Sequence, residues 1–231
     1  MRNLFAAATA IALGFMPAQS AQADVVVELF TSQGCSSCPP ADELLAELTK
    51  RDGVIALSLH VDYWDYLGWK DEFANPAFTQ RQRGYAAQAG SSMIYTPQMI
   101  VGGKDSVVGT RGMELADYIN KHAAMAAPVK LVAKRDGRSV TVRAEVAGSA
   151  PQRMVVQLVE YSPSETVAIK RGELAGHNLT YHNVVRSWTK VADWNGAVPL
   201  SFEATTTSDA PAVILVQDGP TGPILAAERV N

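Results

Sequence analysis

The chain has only two cysteines and four histidines among its 231 residues, and the cysteines stand three positions apart, at Cys35 and Cys38. That scarcity argues against structural zinc, since no second Cys/His pair at ligand spacing exists. The chain also has no Lys/Arg cluster, and its 20 basic and 23 acidic residues nearly cancel. It therefore lacks the electrostatic footprint of a nucleic-acid binder. No apolar run reaches the roughly 18 to 20 residues that span a bilayer, so stable membrane insertion is not expected. There is no internal repeat, and no low-complexity tract beyond the alanine-rich start and the junction at Ala123 to Ala127.

What is present begins with a leader. Arg2 supplies a positive start, Leu4 to Met16 a short apolar run, and Ala21-Gln22-Ala23 the small residues that a signal peptidase needs. Residues 1–23 are expected to be a signal peptide, cleaved before Asp24, and the protein to be periplasmic or secreted. The alternative is an uncleaved anchor.

The remaining chain is written in two grammars. Residues 24–127 alternate short apolar runs with helical spacing, as sheets flanked by helices are written. Val25 to Phe30 predicts a buried strand. Ala41, Leu44, Leu45 and Leu48 fall on one helical face, and Asp52-Gly53 breaks that helix. Val54 to Val61 predicts a second strand, Asn75 to Ala89 a helix opening near Pro76, and Gln98 to Val101 a strand before Gly102-Gly103. A third helix follows on Leu115, Tyr118, Ile119 and His122. Residues 128–231 read as strands separated by turns: 129–135, 140–146, 154–161, 184–191, 198–204, 213–217 and 224–230. This spacing suggests a small β-sandwich, with the boundary near Ala127-Pro128.

A strand running into Cys35-Ser36-Ser37-Cys38 and straight on into a helix places the first sulfur where free amides and the positive helix end converge. Such an environment lowers a thiol's pKa and populates the attacking thiolate. Cys35 is thus the expected nucleophile, and Cys38 the resolving thiol. Pro39 and Pro40 are tolerated because first-turn amides lack internal partners. Thr96-Pro97, just before a strand, is where thioredoxin-like folds keep a cis-proline beside the cysteines; an ordinary trans loop proline is the alternative. Three other readings of the cysteines stay open. One is a structural disulfide, although so small a ring constrains little of the unfolded chain. Another is a copper(I) or soft-metal site with His60 or Met99 as a further ligand. The last is a non-catalytic binding module.

Residues 60–71 pack three acids and four aromatics directly after a strand. Trp64, Thr96 and Asp62 are candidate contacts for a bound partner, with Asp62 the first choice of proton acceptor for Cys38. Equally, Trp64 and Trp69 could cap the domain while Asp62 and Asp65 cap helices. His177 and His182 lie at the start of a strand, where contact with the first half is favoured over catalysis.

Four stretches carry a family resemblance: VELFTSQGCSSCPPAD (Val27 to Asp42), HVDYWD (His60 to Asp65), YTPQ (Tyr95 to Gln98) and YHNVVR (Tyr181 to Arg186). Together they resemble the secreted bacterial proteins grouped as the domain of unknown function 1223. That family is regarded as thioredoxin-like, which implies Cys35 and Cys38 as a redox pair and Pro97 as the cis-proline. The resemblance departs from thioredoxin's Trp-Cys-Gly-Pro-Cys, since Gln33-Gly34 precede the cysteines and Ser36-Ser37 separate them. The direction of exchange is left open by that difference. The expectation is an α/β thioredoxin-like domain followed by a small all-β, sandwich-like domain. It would exchange disulfides with a protein thiol or disulfide partner and need no cofactor.

Overall fold

The computed structural model describes residues 24–230, so the expected signal peptide lies outside the described residues. In chain order the elements are β1 (Val25–Thr31), α1 (Pro39–Leu48), β2 (Val54–His60), α2 (Pro76–Gln88), β3 (Gln98–Val101), β4 (Asp105–Val108) and α3 (Gly112–Ala123). There follow β5 (Val129–Asp136), β6 (Ser139–Val146), β7 (Met154–Ala168), β8 (Asn178–Trp194), β9 (Leu200–Thr205), β10 (Ala212–Asp218) and β11 (Ile224–Val230). The strands form an eight-stranded sheet, ordered β11-β10-β7-β8-β2-β1-β3-β4, and a three-stranded sheet, β5-β6-β9.

Local sequence explains the central elements. Every residue of β1 and β2 is buried, which fits their nearly continuous apolar text, and the two pair in parallel from Val25↔Val54 to Thr31↔His60. Alternate residues serve opposite faces. Val25, Val27 and Leu29 pack with Ala41, Leu45, Leu115 and Ile119 of α1 and α3. Val26 and Phe30 pack with Phe78 and Tyr85 of α2 and with Val159, Val213 and Leu215 from β7 and β10. Helix α2 opens with Pro76 at its first turn, and the Asn75 side chain accepts a bond from the Ala77 amide at 2.9 Å, satisfying one free donor.

The division at Ala127-Pro128 marks where helices stop, but the sheet continues past it. Strands β7, β8, β10 and β11 join the sheet of β1 to β4, with β8 meeting β2 in parallel at Ser58↔Val184. The small sheet packs over that second half: Val140 and Val142 of β6 share a core with Val156, Leu158, Ile214 and Val216. The architecture is therefore mixed α/β with a large and a small sheet. Two features differ from expectation. The short strand β4 was not expected, and β7 and β8 are a long antiparallel hairpin whose ladder runs from Met154↔Trp194 to Ala168↔Asn178. Its outer part carries Val167, Ile169, Leu174 and Tyr181, which pack against Phe73 of the first half. The β8 segment singled out by sequence does contact that half: Asn183, at φ 47°, donates from Nδ2 to the Ala56 carbonyl at 2.8 Å, and the Arg186 guanidinium lies 4.9 Å from the Phe73 ring centre. Among the described residues no helix is long and apolar enough to cross a membrane.

Glu28, at the centre of β1, is fully buried. Arg81 of α2 holds it with two bonds, Nε to Oε2 at 2.6 Å and Nη2 to Oε1 at 3.0 Å, and Tyr85 donates to Oε1 at 2.6 Å. The guanidinium also reaches Gln217 Oε1 of β10 at 3.2 Å and the Pro220 carbonyl at 2.7 Å, and stacks 3.8 Å from the Trp188 ring of β8. Removing one member strands a buried charge. Arg81→Met is expected to lower unfolding stability by about 3–5 kcal/mol in denaturant titration, and adding Glu28→Gln should restore much of that loss.

Candidate functional site

The chain leaves β1 at Thr31 and turns through Ser32-Gln33-Gly34, with the Cys35 amide donating to the Ser32 carbonyl at 3.1 Å. Cys38 is the N-cap of α1, its carbonyl accepting from the Ala41 and Asp42 amides at 2.8 and 3.1 Å. The two cysteines form a disulfide with Cα atoms 5.4 Å apart. Cys35 and Cys38 are 1% and 0% exposed, whereas Ser36 and Ser37 between them are exposed. The Ser37 hydroxyl lies 3.5 Å from Cys35 Sγ.

The Thr96-Pro97 peptide bond is cis, and the Thr96 hydroxyl donates to Cys35 Sγ at 3.2 Å. The Trp64 indole N–H donates in turn to Thr96 Oγ1 at 2.7 Å. Two glycines permit this convergence. A Cβ on Gly34 would stand 3.0 Å from Trp64 Cβ, and one on Gly109 would stand 2.9 Å from both Ala41 Cβ and Pro97 Cβ. The structure thus brings together Cys35, Cys38, Trp64, Thr96 and Pro97. Asp62 does not join them: its Oδ1 accepts from the Thr79 hydroxyl of α2 at 2.5 Å, which spends the carboxylate on helix attachment. Trp69 joins the site's support, donating to Gln33 Oε1 at 2.7 Å.

Behind the disulfide lies a buried polar cluster. His60, fully buried at the end of β2, holds Asp71 through Nδ1 to Oδ2 at 2.7 Å, and its ring stands edge-on to Phe73 and Tyr181 at 5.2 and 4.8 Å. Asp71 also accepts from the Gln33 amide at 2.8 Å and the Phe73 amide at 2.9 Å. Asp42, 7% exposed, sits one turn beyond Cys38 on α1 and its Oδ1 has no partner. Met99 lies in the apolar core under α1 and α3. Among the described residues no group of three or more His, Cys, Asp and Glu side chains is placed to hold a metal ion.

A family model described as protein of unknown function (DUF1223) matches residues 26–217, spanning the cysteines, the aromatic loop, Thr96-Pro97 and the β7–β8 hairpin. The chain belongs to the DUF1223 family. A crystal structure of an Agrobacterium tumefaciens protein is 31% identical over 89% of this chain and 92% of that one, with a TM-score of 0.76. An immunoglobulin-like protein from Pseudomonas aeruginosa is 13% identical over 46% of this chain and 94% of that one, with a TM-score of 0.24. A hypothetical protein from Pyrococcus horikoshii is 12% identical over 44% and 83%, at 0.21. Scores so low carry no structural argument. Among curated proteins no match is found.

Asp42 of this DUF1223 protein is the site residue that sequence reasoning missed. An acid beside the apolar stripe of α1 and four residues beyond Cys38 was the available signal. Burial pushes its carboxyl up to about 7, with Asp71 and Glu43 adding to the rise while His60 and the Thr31 hydroxyl oppose it. Burial likewise raises the Tyr181 phenol, with Asp42 and Asp71 contributing. The native Asp42 carboxyl holds its proton more tightly than the unfolded one. Its contribution to stability is therefore full below about pH 4 and is lost as pH rises through about 7. Asp42→Asn should remove that slope and unfold at higher denaturant than wild type at pH 8, by roughly 2–4 kcal/mol; chemical denaturation across pH checks both.

Proposed function

We propose that this protein is an exported thiol-disulfide oxidoreductase of thioredoxin-like architecture. The observation that carries the reading is the 3.2 Å bond from Thr96 Oγ1, beside cis-Pro97, to the sulfur of Cys35 ahead of α1. It couples a redox-capable sulfur pair to a short backbone segment along which an extended partner chain can lie. The positive end of α1 favours a thiolate at Cys35 when the disulfide is reduced. In that form the Thr96 hydroxyl is a ready hydrogen-bond donor to the sulfur anion. Cys35 attacks a partner disulfide, and Cys38 then attacks Cys35 and releases the partner. Trp64 fixes the Thr96 hydroxyl and walls the site. Export rests on the leader read in residues 1–23.

A second reading is favoured by one observation. Both sulfurs are almost fully buried, as in a settled structural disulfide. Equilibration with glutathione buffers, counting free thiols by mass, separates the two. Exchange chemistry predicts a reduction potential of about −120 to −270 mV, and trapping of a mixed disulfide by Cys38→Ser but not by Cys35→Ser. A potential below about −300 mV would mean a structural bond and remove the proposal.

A further inference from the structure

Among the described residues, six buried side-chain polar atoms lack a hydrogen-bond partner: Thr31 Oγ1, Gln33 Nε2, Asp42 Oδ1, Ser58 Oγ, His60 Nε2 and Tyr181 OH. They are not scattered. Thr31 pairs with His60 in the ladder, and Thr31, Ser58 and His60 follow Leu29 and Ala56 at two-residue spacing on the same face of β1 and β2, the face that α1 covers. Asp42 stands on α1, Gln33 leads into Cys35, and Tyr181 lies against His60. A buried polar group without a partner costs about 1–3 kcal/mol, so their concentration behind the cysteine pair calls for a chemical reason.

The resolving step supplies one. Cys38 is fully buried, so a base in bulk water does not reach its thiol, and the acceptor of its proton must be internal. Asp71 already accepts from His60 and from the Gln33 and Phe73 amides. Tyr181 presents a phenol that its surroundings keep protonated. Asp42 Oδ1 makes no close hydrogen bond, and among the described residues the one side chain that donates toward this carboxyl is the Thr31 hydroxyl. The Asp42 amide bonds the Cys38 carbonyl, which places it one turn along on the same helical face, and helix side chains lean toward the N-terminus, here toward Cys38.

We infer that Asp42 is the internal proton acceptor for Cys38, an assignment that rests on the exchange reading above. With Cys35 joined to a partner sulfur, the Asp42 carboxylate takes the Cys38 S–H proton. The Cys38 thiolate attacks Cys35 Sγ, the Cys35–partner bond breaks, and its electron pair leaves on the partner sulfur. Over the cycle the partner disulfide gains two electrons and the protein's dithiol becomes a disulfide. The Asp42 acid then gives its proton to the departing thiolate or to solvent. In the reverse direction it protonates Cys38 as that sulfur leaves. The groups that act on Asp42 are Thr31 of β1, His60 of β2, Asp71 of the aromatic loop, Tyr181 of β8 and, from its own helix, the exposed neighbour Glu43. Its elevation to about 7 suits an acceptor working near neutral pH.

The test uses the reduced full-length mature protein and 5,5′-dithiobis(2-nitrobenzoate), following its two thionitrobenzoate releases by stopped flow. The first release reports attack by Cys35 and the second reports resolution by Cys38. Asp42→Asn is expected to slow the second about a hundredfold at pH 7 and to leave the first within about twofold. The midpoint of the second should move from near 7 toward about 8.5, that of a free thiol. An unchanged second release and pH profile overturns the assignment. Should the variant not fold, the wild-type profile decides: a second release that rises only near 8.5 rejects Asp42. Absence of the first release from wild-type protein with both thiols free rejects the exchange reading itself.

Discussion

The burial of Glu28 at the middle of β1 is the constraint to which the rest of the structure answers. A carboxylate at the centre of a strand covered on both faces is tolerable only when neutralised and fully hydrogen-bonded. Arg81 and Tyr85 of α2 meet that demand, and Gln217 of β10 holds both of them by hydrogen bonds. The ion pair therefore draws on chain far beyond the helical half. The first strand, which delivers Cys35 to its place, is anchored from its other face by residues more than fifty and more than a hundred positions away.

The cysteine site depends on that anchorage in layers. β1 and the start of α1 set the sulfurs, Gly34 lets the aromatic loop close over them, and Trp64 directs the Thr96 hydroxyl at Cys35. Behind them His60 and Asp71 tie the same loop to β2. Tyr181 closes the cluster from the hairpin, so the polarity of the sulfurs' surroundings is fixed jointly by both halves of the chain.

Much of this was legible in the sequence because it is local. The apolar runs of β1 and β2, the helical stripe of α1, the Asn75-Pro76 helix start and the turn chemistry around Cys35 and Pro97 all express short-range preferences. What was not legible is long-range. Val184 and Val185 are both buried because β8 is irregular where its register to β7 shifts and Asn183 takes a positive φ; simple alternation cannot foresee this. Nor does local text say that β8 lies beside β2, since a strand's partner is chosen by packing. Asp62 drew attention because it follows a strand, yet Thr79 claims it. Asp42 reads as an ordinary solvated helix acid until β8 and the aromatic loop are laid over it.

The meeting of β2 and β8 has a mechanical side. The large sheet is two four-stranded plates, β11-β10-β7-β8 and β2-β1-β3-β4, joined at one backbone bridge, Ser58↔Val184. Elsewhere neighbouring strands share ladders of several residues. The plates are laced instead by side chains and loop ends: Asn183 to the Ala56 carbonyl, Arg229 to Asp24 and the Val54 carbonyl, and the Ile224 amide to the Gly102 carbonyl. Across that seam the joint is made by packed side chains, with Leu57 and Leu59 of β2 sharing a core with Val159, Val185 and Val213 of the other plate. The polar cluster under the cysteines straddles that seam, with His60 on one plate and Tyr181 on the other, so its closure depends on side-chain packing across the seam rather than on a backbone ladder.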